Sequence, residues 1–157
     1  VSEDILVRRA EMDDVPRLAV LGADLVRMHH TADPARFFII DGLEAGYARW
    51  LSHEIARDGA AILVAIRGSV IVGYAYGALE GRDWKLLLDT HGAVHDIFVV
   101  EEARRSGVGR TLLDALVTTL ERLGAPRIVL STMAGNEGAQ RLFRRAGFRP
   151  TMLEMTR

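Results

Sequence analysis

Apolar positions recur along this chain with two periods, and the switches between them mark out the elements. Residues 5–9 alternate and predict a first strand. Asp13 or its neighbour suits a helix N-cap, and Pro16 is tolerated in a first turn. Val15, Leu18, Gly22, Leu25, Val26 and His29 then share one helical face until Asp33-Pro34 breaks it. Leu43, Tyr47, Trp50, Leu51 and Ile55 mark a second helix, with Gly59 just past its end. The period then shortens. Residues 60–66 are a short apolar run, Arg67-Gly68-Ser69 is a turn, and Val70, Val72, Tyr74 and Tyr76 alternate, which predicts a hairpin. Residues 81–92 read as a loop, and 93–100 as a buried strand. From Gly107 the helical period returns, with Val108, Leu112, Leu113, Leu116, Leu120 and Leu123 in one stripe that Gly124 ends. A strand over 127–133, a short helix over 137–146 stopped by Gly147, and a final strand over 150–156 complete the order β-α-α-β-β-β-α-β-α-β. This is an α/β chain with a mixed sheet. Its fourth and fifth strands are joined by a helical crossover and are expected to be parallel.

Composition narrows the class. The 157 residues fit one domain over 1–157, 49% hydrophobic and 26% charged, which is the range of globular proteins rather than disordered ones. No apolar run is long enough to span a bilayer, and no leader pattern opens the chain, so no membrane partner is expected. Cysteine is absent, which excludes disulfides, thiolate metal sites and a cysteine nucleophile, and fits a cytoplasmic location. A net charge of −1 gives no support for nucleic-acid binding. The charge is nonetheless uneven. Residues 1–100 carry ten basic and fifteen acidic side chains, and residues 101–157 carry ten basic and six acidic. A basic C-terminal third suits an anionic ligand and an acidic remainder a cationic one, or the two are simply solvated faces.

The chemistry concentrates after the 93–100 strand. Arg104-Arg105-Ser106-Gly107-Val108-Gly109-Arg110 lies between that strand and a long amphipathic helix. Glycines at 107 and 109 allow a sharp turn and close approach of a ligand to the main chain. The unpaired N–H groups and positive dipole end of the helix make an anion site suited to a pyrophosphate, and Arg104, Arg105 and Arg110 add charge. A nucleotide P-loop is excluded, because the lysine after Gly109 and the upstream glycine are missing. A dinucleotide fingerprint is excluded as well, since Leu112 holds its third glycine position. A tight strand-to-helix turn without a ligand is the remaining structural alternative.

The remaining pattern, R-x-x-G-x-G, resembles the acetyl-coenzyme A signature of the GNAT superfamily of N-acetyltransferases. Asn136, Ala139, Leu142, Phe143, Gly147 and Phe148 resemble that family's later motif, and the element order matches its fold. The resemblance implies acetyl-coenzyme A as co-substrate and no metal. It implies that main-chain groups of Ile97, Phe98 and Val99 pair with the pantetheine arm. By the same resemblance, backbone N–H groups across Arg105, Ser106, Gly107, Val108, Gly109 and Arg110 are expected to hold the pyrophosphate. Asn136 contacts the pantetheine or braces the strands, and Phe143 lies near the thioester sulfur.

The chain departs from the family at Phe143, where many members carry a tyrosine that protonates the departing thiolate. Phe143 has no such proton, so water or the substrate ammonium must supply it, with Ser131 or Thr132 as helpers through water or as plain strand-end groups. This departure also opens a non-catalytic reading, an acyl-coenzyme A sensor or interaction domain. An attacking amine needs a base. Simple alternation puts Ala93, His95, Ile97 and Val99 on one face and Asp96 on the other. His95 is the expected base, since its unperturbed pKa near 6.5 suits the task. A structural hydrogen-bonded histidine is its alternative. Asp96 reads as a structural acceptor, and His91 as a weaker candidate base. His29, His30, Phe37, Phe38 and Tyr47 are candidate acceptor contacts, because the first two helices shape the acceptor pocket in this family. A metal at His29-His30 is disfavoured, since neighbouring helix positions point apart. The acidic first two-thirds, and the likeness of His95-Asp96-Ile97-Phe98-Val99 to spermidine/spermine-type acetyltransferases, favour a small amino or polyamine-like acceptor over a protein N-terminus. The terminal strand around 152–156 offers an edge for a homodimer.

Overall fold

The computed structural model describes residues 4–157. One five-stranded sheet of order β1-β2-β3-β4-β5 organises the chain. Its strands are β1 (Ile5–Arg9), β2 (Ala60–Arg67), β3 (Val70–Glu80), β4 (His91–Val99) and β5 (Ile128–Leu130). The first four pair antiparallel in sequence order, and β4 pairs β5 in parallel, as the crossover requires. Helices α1 (Val15–Ala32) and α2 (Leu43–Ile55) cover one face, and α3 (Val108–Arg122) covers the other. Helix α4 (Glu137–Arg145) packs Leu142 and Phe143 against the α3 side. No helix among the described residues is long and apolar enough to cross a membrane.

The two cores follow from the patterns. The stripe Val108, Leu112, Leu113, Leu116 and Leu120 of α3 is fully buried against Ala61, Leu63, Ala75 and Val94 of the sheet. Close approach here needs Gly77. A Cβ at that position would lie 2.7 Å from the carbonyl oxygen of Ala93 and about as close to Leu116 and Leu120 as packing allows (3.2 and 3.1 Å). Opposite, Leu18, Leu21 and Leu51 bury against Val64, Tyr74 and Tyr76. The entry into α1 is fixed by Asp14, which accepts from Arg8 at 2.7 and 3.0 Å and from the N–H of Glu11 at 2.8 Å.

Three expectations are corrected. The segment 150–156 is not a strand. It is fully exposed, with Met152, Leu153 and Met155 at 79–90%. Alternation alone makes no strand without a partner ladder, and Glu154 is instead engaged by the guanidinium of Arg36 in the α1–α2 connection. The β5 strand covers only 128–130 of the expected 127–133, because it pairs β4 over three residues and then diverges. The third correction concerns which face His95 and Asp96 occupy, and it bears directly on the site.

Candidate functional site

A β-bulge reorganises β4. Tyr76 opposes Asp96, but the next residue of β3, Gly77, opposes Val94, so His95 is the extra residue. The alternation expected from sequence therefore breaks at this point. Val94, Ile97 and Val99 pack on the α3 side. His95 stacks on Tyr76 at 5.2 Å between centroids, and Asp96 accepts from the Tyr74 hydroxyl at 2.9 Å, both on the α1/α2 side. His95 and Asp96 thus share a face, contrary to the sequence expectation. They do so beside the point where β5 parts from β4.

Around them stand groups from both helices. Tyr47 of α2 lies against Gly22 of α1, where a Cβ would be 2.5 Å from the tyrosine ring. It meets Trp50 edge-on at 5.9 Å, and Trp50 meets Tyr76 edge-on at 4.8 Å. The Tyr76 hydroxyl donates to the buried carboxylate of Glu54 at 2.5 Å, which also pairs with Arg57 at 2.8 Å. His29 of α1 packs edge-on against Phe37 at 4.9 Å. Burial pushes the Asp96 carboxyl above its ordinary range, partly offset by the Tyr74 hydroxyl and by positive charge on His95 or His29. Burial also raises Tyr47 and Tyr74, and the Asp96 charge adds to both. The Tyr47 and Tyr74 hydroxyls therefore stay protonated at neutral pH, and that of Tyr74 donates to Asp96.

The loop before α3 has the expected form. Gly107 takes a left-handed φ of 87°, with open space where a side chain would start. Arg105 is also left-handed, with φ 58°. The first N–H of this helix with a partner is that of Thr111, which reaches the Gly107 carbonyl at 3.0 Å. The N–H groups of 105–110 find no backbone or side-chain acceptor among the described residues, which leaves a run of unpaired donors at a helix N-terminus. This donor row suits the pyrophosphate of acetyl-coenzyme A.

The loop side chains divide. Arg104 donates to the Val99 carbonyl at 2.9 Å and lies over the Phe98 ring, so it braces β4 and occupies one main-chain acceptor expected to meet pantetheine. Arg110 pairs with Asp114 and donates to the Arg145 carbonyl at 3.1 Å, tying α3 to α4. Ser106 donates to the Ala103 carbonyl at 2.6 Å and accepts from Arg67 at 2.9 Å. Arg67 was legible only as a hairpin turn, and nothing local in the sequence connects it to this loop. Arg105 is exposed and makes no such internal bond among the described residues. Val108 is buried in the α3 core, so its contribution to the cradle is its N–H alone.

Other expected contacts are placed as follows. The Asn136 side-chain oxygen caps α4 by accepting from the Ala139 N–H at 3.0 Å. Phe143 packs against Phe148 at 6.2 Å. His29 and His30 each hold a backbone carbonyl through Nδ1, of Leu25 and Phe37 respectively, both at 2.8 Å. No three metal-ligating side chains gather among the described residues. Phe38 is 67% exposed, away from the buried aromatic group. His91 is buried and bonded to the Asp89 carbonyl, remote from the bulge along β4.

Comparison with known proteins follows the same lines. L-methionine sulfoximine/L-methionine sulfone acetyltransferase of Pseudomonas aeruginosa is 35% identical over 96 residues, 59% of this chain and 53% of the relative. Mycothiol acetyltransferase of Pseudarthrobacter chlorophenolicus is 33% identical over 95 residues, 58% of this chain and 28% of the relative. The chain thus spans about half the length, or less, of these curated relatives. Two solved structures share the fold at low identity. The BH1408 protein of Bacillus halodurans matches with TM-score 0.83 and 19% identity, over 96% of this chain and 97% of that one. An aminoglycoside N-acetyltransferase, AAC(6')-Iy in complex with coenzyme A, matches with TM-score 0.74 and 16% identity, over 98% and 93%. The family model for the Acetyltransferase (GNAT) family spans residues 25–148, from the middle of α1 through the end of α4, and so includes both the donor row and the bulge. On that span, this chain belongs to the GNAT acetyltransferase family.

Proposed function

We propose that residues 1–157 act as one domain that transfers an acetyl group from acetyl-coenzyme A to the primary amine of a small molecule by direct attack. The observation that carries this reading is the bulge at His95. It presents an imidazole and a carboxylate side by side where β4 and β5 part, on the strand that leads into the row of unpaired N–H groups. Acetyl-coenzyme A supplies the activated acyl group as a thioester. The N–H groups of 105–110 and the Arg105 charge bind its pyrophosphate. Main-chain groups of Ile97 and Phe98 and the Asn136 amide orient the arm, and the Phe143 ring keeps water from its end. His95 takes the proton of the acceptor ammonium, and the amine so formed attacks. Asp96 and the tyrosines around it hold the ammonium before that step. Phe143 has no hydroxyl, so the sulfur recovers its proton from the acceptor or from water.

A small acceptor is favoured over a protein N-terminus because both relatives described above are named for small-molecule acetyl transfer. The aromatic and acidic lining of the bulge suits a cation. A second reading, an acyl-coenzyme A-binding module without turnover, has Phe143 in its favour. Calorimetric titration with acetyl-coenzyme A, followed by thiol release with a panel of amines, decides. Saturable binding with amine-dependent thiol release supports the transferase. Binding without release by any amine supports the module, and no binding by folded protein overturns both.

A further inference from the structure

The Nε2 of His95 lies 3.3 Å from the Glu80 carboxylate at the end of β3. A carboxylate only accepts hydrogen bonds, so Nε2 carries the hydrogen and the lone pair of the neutral ring sits on Nδ1. No protein group bonds Nδ1 among the described residues. The ring is held in two further ways. Its plane is set by the stack on Tyr76, with 24° between the rings. Tyr76 is itself anchored through its hydroxyl to Glu54 and Arg57. Rotation within that plane is set by Glu80.

The ladder shows how two residues so far apart in register meet. Glu80 opposes His91, and Ala78 opposes Ala93 between them and the bulge. Two alanines leave a low strip over which the long side chains lean together. Alternation from Ala93 sets His95 on the Glu80 side of the sheet, and the bulge then brings Asp96 onto that same side. Both side chains remain about 40% exposed (41% and 36%), so the pair contributes little to folding and the ring stays accessible to an acceptor.

We infer that Glu80 is a positioning residue that fixes His95 with Nδ1 facing the acceptor amine and stabilises the imidazolium formed when the proton arrives. This rests on the transferase reading above. The balance is simple. One proton leaves the acceptor ammonium for Nδ1. The nitrogen–carbon bond forms as the carbon–sulfur bond breaks. The second proton of the attacking nitrogen goes to the sulfur, and Nδ1 returns its proton to water. The charged or titratable groups facing His95 are Glu80 and Tyr76 of β3, Asp96 of β4, Glu54 and Arg57 of α2 behind Tyr76, and His29 of α1 near Asp96.

The test is the pH dependence of kcat/KM for thiol release from acetyl-coenzyme A, with the best amine of the panel, in Glu80→Ala, Glu80→Gln, His95→Ala and the Glu80→Ala/His95→Ala double variant. His95→Ala should lose about a hundredfold in kcat, the usual scale of a general base. Glu80→Ala should lose about tenfold in kcat, with the acetyl-coenzyme A KM unchanged. Its alkaline-rising limb should move to lower pH, because losing a negative neighbour disfavours the imidazolium. Glu80→Gln, whose amide oxygen still accepts from Nε2, should recover most of kcat while keeping the shifted limb. In the double variant the Glu80 substitution should add no further loss. Multiplying losses, or an unmoved limb in Glu80→Ala, would overturn the positioning role. Full turnover by His95→Ala would overturn it too while leaving the transferase reading intact. Turnover of no amine by the unsubstituted protein would overturn that reading and this inference with it.

Discussion

The two sides of the gap between β4 and β5 are built in different ways. On the proposed donor side the candidate atoms are main-chain N–H groups, set by one left-handed glycine and the start of α3. The loop arginines there mostly brace the scaffold, Arg104 against β4 and Arg110 between α3 and α4. On the proposed acceptor side the candidate atoms belong to side chains, namely His95, Asp96, Tyr47, Tyr74 and Glu80, drawn from three elements and arranged around a bulge. A main-chain site tolerates side-chain changes but not changes of backbone conformation. A side-chain site has the opposite sensitivity.

Substitutions sharpen the contrast. The largest effect is expected from Gly107→Trp, which forces a bulky side chain onto a backbone with φ of 87° and into the space before the donor row. Acetyl-coenzyme A affinity by calorimetry should fall about a hundredfold or more, ~2.7 kcal/mol. An unchanged affinity would break the donor-side account. Gly77→Val comes next and strikes the packing of α3 on the sheet. Its Cβ would meet the Ala93 carbonyl and the α3 leucines, and denaturant unfolding should show a loss of about 3 kcal/mol. A smaller loss would mean that α3 can move away from the sheet.

Asp96→Asn touches the acceptor side alone. The native carboxyl titrates above its ordinary value because burial penalises the charge. The charged form therefore weakens the fold as pH rises from the unfolded value through the raised folded value. An asparagine can still accept from Tyr74 and carries no charge. The variant should melt a few degrees higher than the parent at pH 8, ~2–4 °C, with the difference vanishing near pH 3. Acetyl-coenzyme A affinity should stay the same. A lower melting temperature at pH 8 would show that Asp96 is held by more than the Tyr74 hydroxyl. The smallest effect belongs to Arg36→Ala. Its pair with Glu154 is exposed, 41% and 67%, and such pairs contribute about 0–1 kcal/mol. Thermal melting should barely move. A shift of several degrees would mean that the C-terminal segment is more firmly docked than its exposure indicates.

Legibility in the sequence divides along the same line. The donor loop is contiguous, and the glycine and helix-start chemistry of 104–110 can be read without knowing what lies nearby. The helices follow from periodicity, because each buries one stripe, and β2 follows from its apolar run, because helices cover both faces of the sheet there. The face of Asp96 was not legible. A bulge is a relation between two strands, and the residues of β4 alone carry no mark of it. Glu80 and Arg67 were hidden for a related reason, since each acts on a residue far away in sequence, His95 and Ser106 respectively. The segment 150–156 has a strand's alternation without a ladder to join, so local pattern overstated it.

The sequence by itself determined the order of elements as far as α4 and the glycine-marked start of α3, because these depend on local period and on the conformations open to glycine. Only the tertiary structure decided which side chains share the acceptor side. That depends on strand register, and a single extra residue in β4 brought Asp96 onto the same face as His95.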